Sequence, residues 1–388
     1  MSVGETADVI IIGSGVMGSS IAFHLARRKA GRVVVVERDR VAWGASVRSS
    51  ALVRMHYSFP PEARLAVKSL GIFQNWEEIV GEPTHFRKTG FVRIVPEVEL
   101  LKANVSMLKE NGVNTRLISA AELKAIEPDW HVDDVAAAAY EPDSGYADGA
   151  GVAGDFLSKA REMGVTYLPR TRVMWFKIEG GRVRGVSTDR GEIDAPVVVS
   201  AVGQWTQPLF RQAGLDVPIE TEYHEVAILK NPAGMKGGGC ACIDSTRNIY
   251  FRSDGPDKTL VGELYGRRGV DPDNFPQRAS QESLAEISKR LCGRIPVLED
   301  AEVVRGVTGV YDMSPDSRPL LGEIPDARGL HLVAGFSGTG FKLSPAIGLV
   351  MSELLLDGRS ATVDISAFRP GRFGEGKPIK AEFEYQGV

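Results

Sequence analysis

The sequence predicts an α/β fold in which a Rossmann-like domain, assembled from separated pieces of the chain, carries an inserted β-sheet-rich α+β domain. Three observations support this. At the N-terminus an apolar strand runs into a G-x-G-x-x-G turn and an amphipathic helix. The middle of the chain is rich in short β-type runs separated by turn signals. Near the C-terminus the pattern returns to an apolar strand, a second cluster of glycines and a helix. At 388 residues the chain also exceeds what one hydrophobic core ordinarily supports, so two domains are expected.

The first strand, Asp8-Val9-Ile10-Ile11-Ile12, is the continuous apolar run that a parallel strand covered on both faces requires. It meets Gly13-Ser14-Gly15-Val16-Met17-Gly18. In that spacing Gly13 permits the tight turn, Gly15 lets the backbone approach a pyrophosphate, and Gly18 lets helix and strand pack closely. The following helix places Ile21, Ala22, Leu25 and Ala26 on one face, and its N-terminal N–H groups suit a phosphate. Arg27, Arg28 and Lys29 complement the negative pole at its other end. A second strand, Arg32 to Val36, ends in Glu37, nineteen residues beyond Gly18, with Arg38 next. A carboxylate there accepts hydrogen bonds from ribose hydroxyls and repels a 2′-phosphate. These features define a dinucleotide site without distinguishing FAD from NAD.

Further along, Glu97 to Ala125 has helical periodicity, with a cap signal at Ser119. Strands are expected at Val165–Leu168, Val173–Ile178, Val183–Thr188 and Val197–Val202, with turns at Gly180-Gly181 and Arg190-Gly191. Short strands are expected over Glu220–Leu264, a helix near Glu282–Leu291, and an apolar strand at Leu330–Ala334. The closing helix is expected over Pro345–Leu356, with Ser344 as its N-cap and Pro345 at its first position. The division that follows assigns 1–88, 146–218 and 301–370 to the dinucleotide domain and 89–145 and 219–300 to the substrate domain. Residues 371–388 are polar and glycine-containing and are expected to form a loosely packed tail.

Composition narrows the function. A formal net charge of -4 gives no reason to expect nucleic acid or an anionic membrane as partner. No apolar run is long enough to span a bilayer, and Met1 to Ala7 lacks a secretory pattern. The three cysteines, Cys240, Cys242 and Cys292, form no disulfide framework, and a cytoplasmic location follows by default. Cys240 and Cys242, after Gly237-Gly238-Gly239, have no further metal-type ligands near them in sequence and are expected to be simple loop or strand cysteines.

The C-terminal glycine cluster is Gly335-Phe336-Ser337-Gly338-Thr339-Gly340-Phe341-Lys342. It offers a second close approach of backbone to a ligand, with Lys342 available for negative charge. A protein that binds a nucleotide only at its N-terminus has no need of it. The pair of clusters fits a long ligand lying between both ends of the chain.

Taken together, Gly13–Gly18 with Glu37, Gly44-Ala45-Ser46 with Arg48-Ser49-Ser50 and Arg54, the segment Arg305 to Asp316, and Gly335–Lys342 resemble the D-amino-acid oxidase superfamily. The similarity is greatest to its sarcosine oxidase and glycine oxidase branch, including the β subunits of heteromeric sarcosine oxidases. The resemblance covers nearly the whole chain and implies a discontinuous FAD-binding domain with a β-sheet substrate domain over the flavin. It implies that Arg54 and Lys342 hold a substrate carboxylate and that Tyr311 lines the same pocket; His56 and Tyr57 follow Arg54 closely enough to reach a substrate. It places Val173 at the adenine, and Ala201, Gly203 and Trp205 in a third FAD segment. Ser14, Val16, Met17, Arg38, Ala45, Ser46, Ser49, Ser50, Ala51, Leu52, Gly309, Gly338, Thr339, Gly340 and Phe341 complete the expected FAD contacts.

Two departures from the family pattern matter. The tethering cysteine of monomeric sarcosine oxidases falls at Gly309, and no histidine occurs in Gly44–Ser50, so the FAD is expected to be non-covalent. The lysine those oxidases place above the flavin falls near Leu260, with Lys258 two residues away and expected to face away. The implied reaction is oxidation of the C–N bond of a small carboxylate-bearing amine, by hydride transfer to flavin N5 and imine hydrolysis. A secondary amino acid (sarcosine, iminodiacetate or proline-like) is preferred over a D-amino acid or glycine. Oxygen or another acceptor takes the electrons, and the oligomeric state stays open. The alternatives are an electron-relaying FAD subunit of a larger complex and an NAD-binding Rossmann protein.

Overall fold

The computed structural model describes residues 6–235 and 239–381. The first sheet forms around β1 (Val9–Ile12), whose four residues are all buried. The Gly turn leads into α1 (Val16–Arg27) and β2 (Val33–Val36), which lies parallel to β1 in register Val9↔Val33. On the other side of β1 lies β3 (Val197–Ser200), also parallel. Alternation splits β1 between two cores: Val9 and Ile11 pack against α1 and the helices Pro60–Gln74 and Gly149–Glu162, while Ile10 and Ile12 face Val173, Phe176, Val186 and Phe210.

The second sheet is mixed and is built on β4 (Glu220–Lys230), β5 (Ile249–Ser253), β6 (Lys258–Glu263) and β7 (Glu302–Met313). One face buries Ala227, Leu229, Phe251 and Val261 beneath Leu284, Ile287 and Leu291 of the helix Gln281–Arg294. The other face carries Val226, Ile228, Tyr250 and Leu260 toward Leu52 and the first domain. Cys242 is buried among the residues of the helix-covered face. Of the glycine run before Cys240, residues 237 and 238 lie outside the described residues. The chain returns to the first sheet as β8 (Ala327–Ala334), parallel to β3, and closes with α2 (Gly340–Asp357). No described helix is long and apolar enough to cross a membrane.

Several expectations need correction. The closing helix begins at Gly340, not Pro345, and Ser344 does not cap it. Pro345 lacks the N–H that would bond the Phe341 carbonyl four residues back, and Ser344 Oγ donates to that carbonyl at 2.8 Å instead. The local substitution lets the helix run through its proline. β7 pairs with β4 from Glu220↔Met313 to Lys230↔Glu302, so the second sheet extends past the division at 301. Of the expected tail, 382–388 lie outside the described residues, and 372–379 are anchored rather than loose: Arg372 is fully buried against Asp316 at 2.8 Å, and the Ile379 N–H donates to the same carboxylate. Lys258 shares the face of Leu260, as any i, i+2 pair must, but its amine lies 3.5 Å from Asp257 at the strand end.

Candidate active site

The two glycine clusters meet across one elongated cleft. Gly13 has φ +99° and Gly18 packs so closely that a Cβ would fall 1.9 Å from the Gly13 carbonyl oxygen. The turn therefore tolerates no side chain at either position. Glu37 holds the turn from beside it: one carboxylate oxygen accepts from the Ser14 N–H at 2.8 Å and the other from the Asp39 N–H at 2.8 Å. The first oxygen also accepts from Ser14 Oγ at 3.0 Å, while the second keeps a lone pair, so Glu37 fixes the loop and still has capacity for a further donor such as a ribose hydroxyl.

The cleft wall takes in Gly13, Gly15, Val16, Met17, Glu37, Arg38, Ala45, Ser46, Ser49, Val173, Ala201, Gly203, Trp205, Gly338, Gly340 and Phe341. Ser14, Gly18, Ala51, Gly309, Gly335 and Thr339, also expected at the cofactor, are not part of that wall; Ser50, Leu52 and Lys342 face an adjoining cavity instead. Sequence reasoning missed Asp273, which arrives from the loop after β6. It accepts from Trp205 Nε1 at 2.9 Å and pairs with Arg38 at 2.9 Å, while the Arg38 guanidinium stacks 3.8 Å above the Trp205 ring.

The adjoining cavity is lined by Arg54, Lys342, Tyr311 and Tyr250 among others, and Tyr311, Phe341, Gly338 and Ser49 belong to both walls. Gly338, at φ +80°, makes that junction possible, since a Cβ there would come within 2.9 Å of the Tyr311 ring. Arg54 and Lys342 are 3% and 5% exposed, so both charges are held in a largely dehydrated space. Arg54 donates to the His56 carbonyl and lies 4.8 Å from the Tyr57 ring centre, and its Nε has no hydrogen-bond partner among the described residues. The Lys342 ammonium has no hydrogen bond or ion pair among the described residues; burial and the Arg54 charge push its pKa well below the ordinary lysine range.

Behind the cations stands Glu62, fully buried, with Arg318 Nε 2.9 Å from its carboxylate. Burial pushes its pKa up to about 7, against the pull of Arg318 and Arg54. His56 does not line the cavity. Its ring lies 3.2 Å from Asn104 Nδ2 and 3.7 Å from the Glu141 carboxylate, and burial with the Arg93 and Arg54 charges holds it well below the usual histidine pKa. His56 thus serves the site through its carbonyl, not its imidazole.

Tyr250 was missed by sequence reasoning. Its side chain meets the Tyr311 hydroxyl, and it faces inward because it alternates with Ile249 and Phe251 along β5. The alternation is visible in sequence; which face looks toward the cofactor cleft is not.

The fold and site thus combine a double glycine cradle, with Glu37 bonded to its first turn, and an adjoining buried cavity lined by Arg54 and Lys342. Residues 8–354 match the DAO family, described as FAD dependent oxidoreductase, and the chain belongs to that family. It is accordingly an FAD-binding flavoprotein. It is 26% identical over 378 residues to the mitochondrial sarcosine dehydrogenase of Mus musculus, covering 92% of this chain but 40% of that protein. The β subunit of Rhodobacter capsulatus sarcosine oxidase is 26% identical, covering 94% of this chain and 89% of that one. Among solved structures, L-proline dehydrogenase from P. horikoshii superposes with a TM-score of 0.89 at 28% identity, covering 97% and 100% of the two chains.

Proposed function

We propose that the protein oxidises the C–N bond of a small secondary amino acid, of the N-methyl or cyclic kind, using FAD held without a covalent bond. The observation that carries this is the Arg54–Lys342 pair: two buried cations on one cavity wall beside the cofactor cleft, with Lys342 free of any acceptor among the described residues. A buried ammonium without a partner is costly, and a substrate carboxylate supplies what is missing. Arg54 gives planar contact and Lys342 a point charge, so the carboxylate is fixed in both position and orientation. The names of the relatives, sarcosine dehydrogenase and L-proline dehydrogenase, agree with a secondary amine.

Held along the cleft between Gly13–Met17 and Gly338–Phe341, FAD would supply the hydride acceptor for the carbon beside the nitrogen, and water would hydrolyse the resulting imine. The chain's own residues bind and orient. Arg54 and Lys342 hold one end of the substrate, Tyr311 and Tyr250 wall the other, and Phe341 separates the cavity from the cleft. Gly309 offers no side chain for a covalent link to the cofactor. With Lys258 paired to Asp257, no lysine of β6 lines the cavity, which favours an electron acceptor other than oxygen.

Truncation tests the cation pair directly. Charge-assisted hydrogen bonds of this kind contribute about 1.5–3 kcal/mol. Arg54→Ala and Lys342→Met should therefore each raise the half-saturating amino acid concentration by at least about tenfold with FAD content unchanged. Unchanged half-saturation in both variants would remove the pair from substrate binding.

A further inference from the structure

The second sheet holds a buried ionisable pair against Tyr311 that the chemistry above does not use, one member of which, Glu222, lines the same cavity. Glu222 and His224 stand two residues apart on β4, so both project from the same face. In the pairing with β7, Glu222 lies opposite Tyr311 and His224 opposite Gly309. The imidazole rests against the Tyr311 ring, with centroids 4.2 Å apart and planes at 33°. His224 Nε2 lies 2.9 Å from Glu222 Oε1. The same carboxylate accepts from the Gly266 N–H at 3.2 Å and from Arg268 Nε at 3.0 Å.

Glycines create the room this arrangement needs. A Cβ on Gly266 would fall 2.9 Å from the His224 ring, and one on Gly262 would fall 2.4 Å from the Tyr250 hydroxyl. Tyr311 is thus held from three sides: His224 on its ring face, Tyr250 at its hydroxyl, and Gly338 against its edge. It is also among the few side chains shared by the cofactor cleft and the substrate cavity. An apolar side chain would fill the place of His224 without the cost of burying a second polar group, so pure packing does not account for the pair.

We propose that His224, locked by Glu222, is a positioning residue that fixes Tyr311 at the junction of cleft and cavity and so sets where the substrate's reacting carbon lies. The inference rests on the amino-acid reading of that cavity. It assigns alignment to the second sheet and carboxylate affinity to Arg54 and Lys342. A misplacement of about 1 Å at such a junction costs on the order of a hundredfold in rate, so loss of the clamp should lower the limiting rate of flavin reduction more than it changes half-saturation.

The test compares FAD-loaded wild type, His224→Ala, Tyr311→Phe, the double variant and the milder His224→Gln. Two readouts are taken: anaerobic flavin reduction by the amino acid that reduces wild type, and the visible spectrum of the oxidised flavin. The expected result is at least about a tenfold loss of limiting rate in each single variant, half-saturation little altered, and a double variant no worse than the poorer single one, since coupled residues are non-additive. His224→Gln, which keeps a donor for Glu222, should recover part of the rate, and it carries the test if the alanine variant does not hold FAD. Additive losses, or a His224 variant at the wild-type rate, overturn the proposal. Failure of every amino acid to reduce wild type would instead overturn the amino-acid reading. The spectra then decide for His224: the same non-additive change in both single variants supports the clamp, and additive or absent changes reject it.

Discussion

Lys342 sits in a protein interior that disfavours its charge, and its behaviour should expose the site. Burial and Arg54 hold its pKa low in the free protein, and a bound carboxylate favours the ammonium form. An amine-free carboxylate such as acetate should therefore bind more weakly as pH rises, and Lys342→Met should flatten that dependence; spectral titration of the flavin measures both. Glu141 gives a second residue-scale prediction, about stability. Its carboxyl titrates near 7 when folded, against 4.5 ordinarily, because it is buried, although the Met55 N–H and Ser144 Oγ bond it. Between those values the folded chain holds the extra proton, so stability falls as pH rises through the window. Glu141→Gln removes the titration, and its denaturation midpoint relative to wild type should rise from about pH 5 to about pH 8. An equal difference at both values would contradict the assignment. Glu37 and Lys342 stand beside glycine motifs of local spacing, and Arg54 is marked in the sequence by the resemblance alone. Glu62, His224 and Tyr250 were not legible there, because their places depend on a helix and strands whose partners lie far away in the chain.

Elements owe their positions to close approach as much as to propensity. α1 and α2 cross where Gly348 meets Ser20: a Cβ on Gly348 would lie 2.1 Å from Ser20 Oγ and 2.6 Å from its backbone. Gly348→Ala should cost about 1–3 kcal/mol, read as a lowered denaturation midpoint, because the nearest obstacle is partly backbone and cannot rotate away. Ser344→Ala should cost about 1–3 kcal/mol by leaving the Phe341 carbonyl unsatisfied beside Pro345. A variant as stable as wild type would show that the carbonyl finds another donor. Sequence pattern located α1, the helix Gln281–Arg294 and the strands around β1, whose periodicity is strong, but not the helices Pro60–Gln74 and Gly149–Glu162. It missed the start of α2 because a proline six positions into a helix resembles a helix start, and only the serine beside it explains its tolerance.

At the scale of the whole molecule, the two ends of the chain build the cofactor cleft and the second sheet closes over it. β7 links these parts, carrying Tyr311 from the second sheet to the edge of the cleft, with β8 and α2 following in the first domain. The division at 301 failed there because the segment Arg305 to Asp316 was read by its resemblance to cofactor motifs, whereas its backbone pairs with a strand some eighty residues earlier. The buried Asp316–Arg372 pair likewise ties in a segment whose polar composition suggested a free tail. The central claim is that these parts assemble a flavin site for a secondary amino acid. It is tested most directly by mixing the FAD-loaded protein anaerobically with a panel of N-methyl, cyclic and primary amino acids and following the visible flavin absorbance. Rapid bleaching by sarcosine- or proline-type substrates, and slow or no bleaching by primary amino acids, is the predicted result. A flavin that no carboxylate-bearing amine bleaches, or that only primary amino acids bleach, would contradict it.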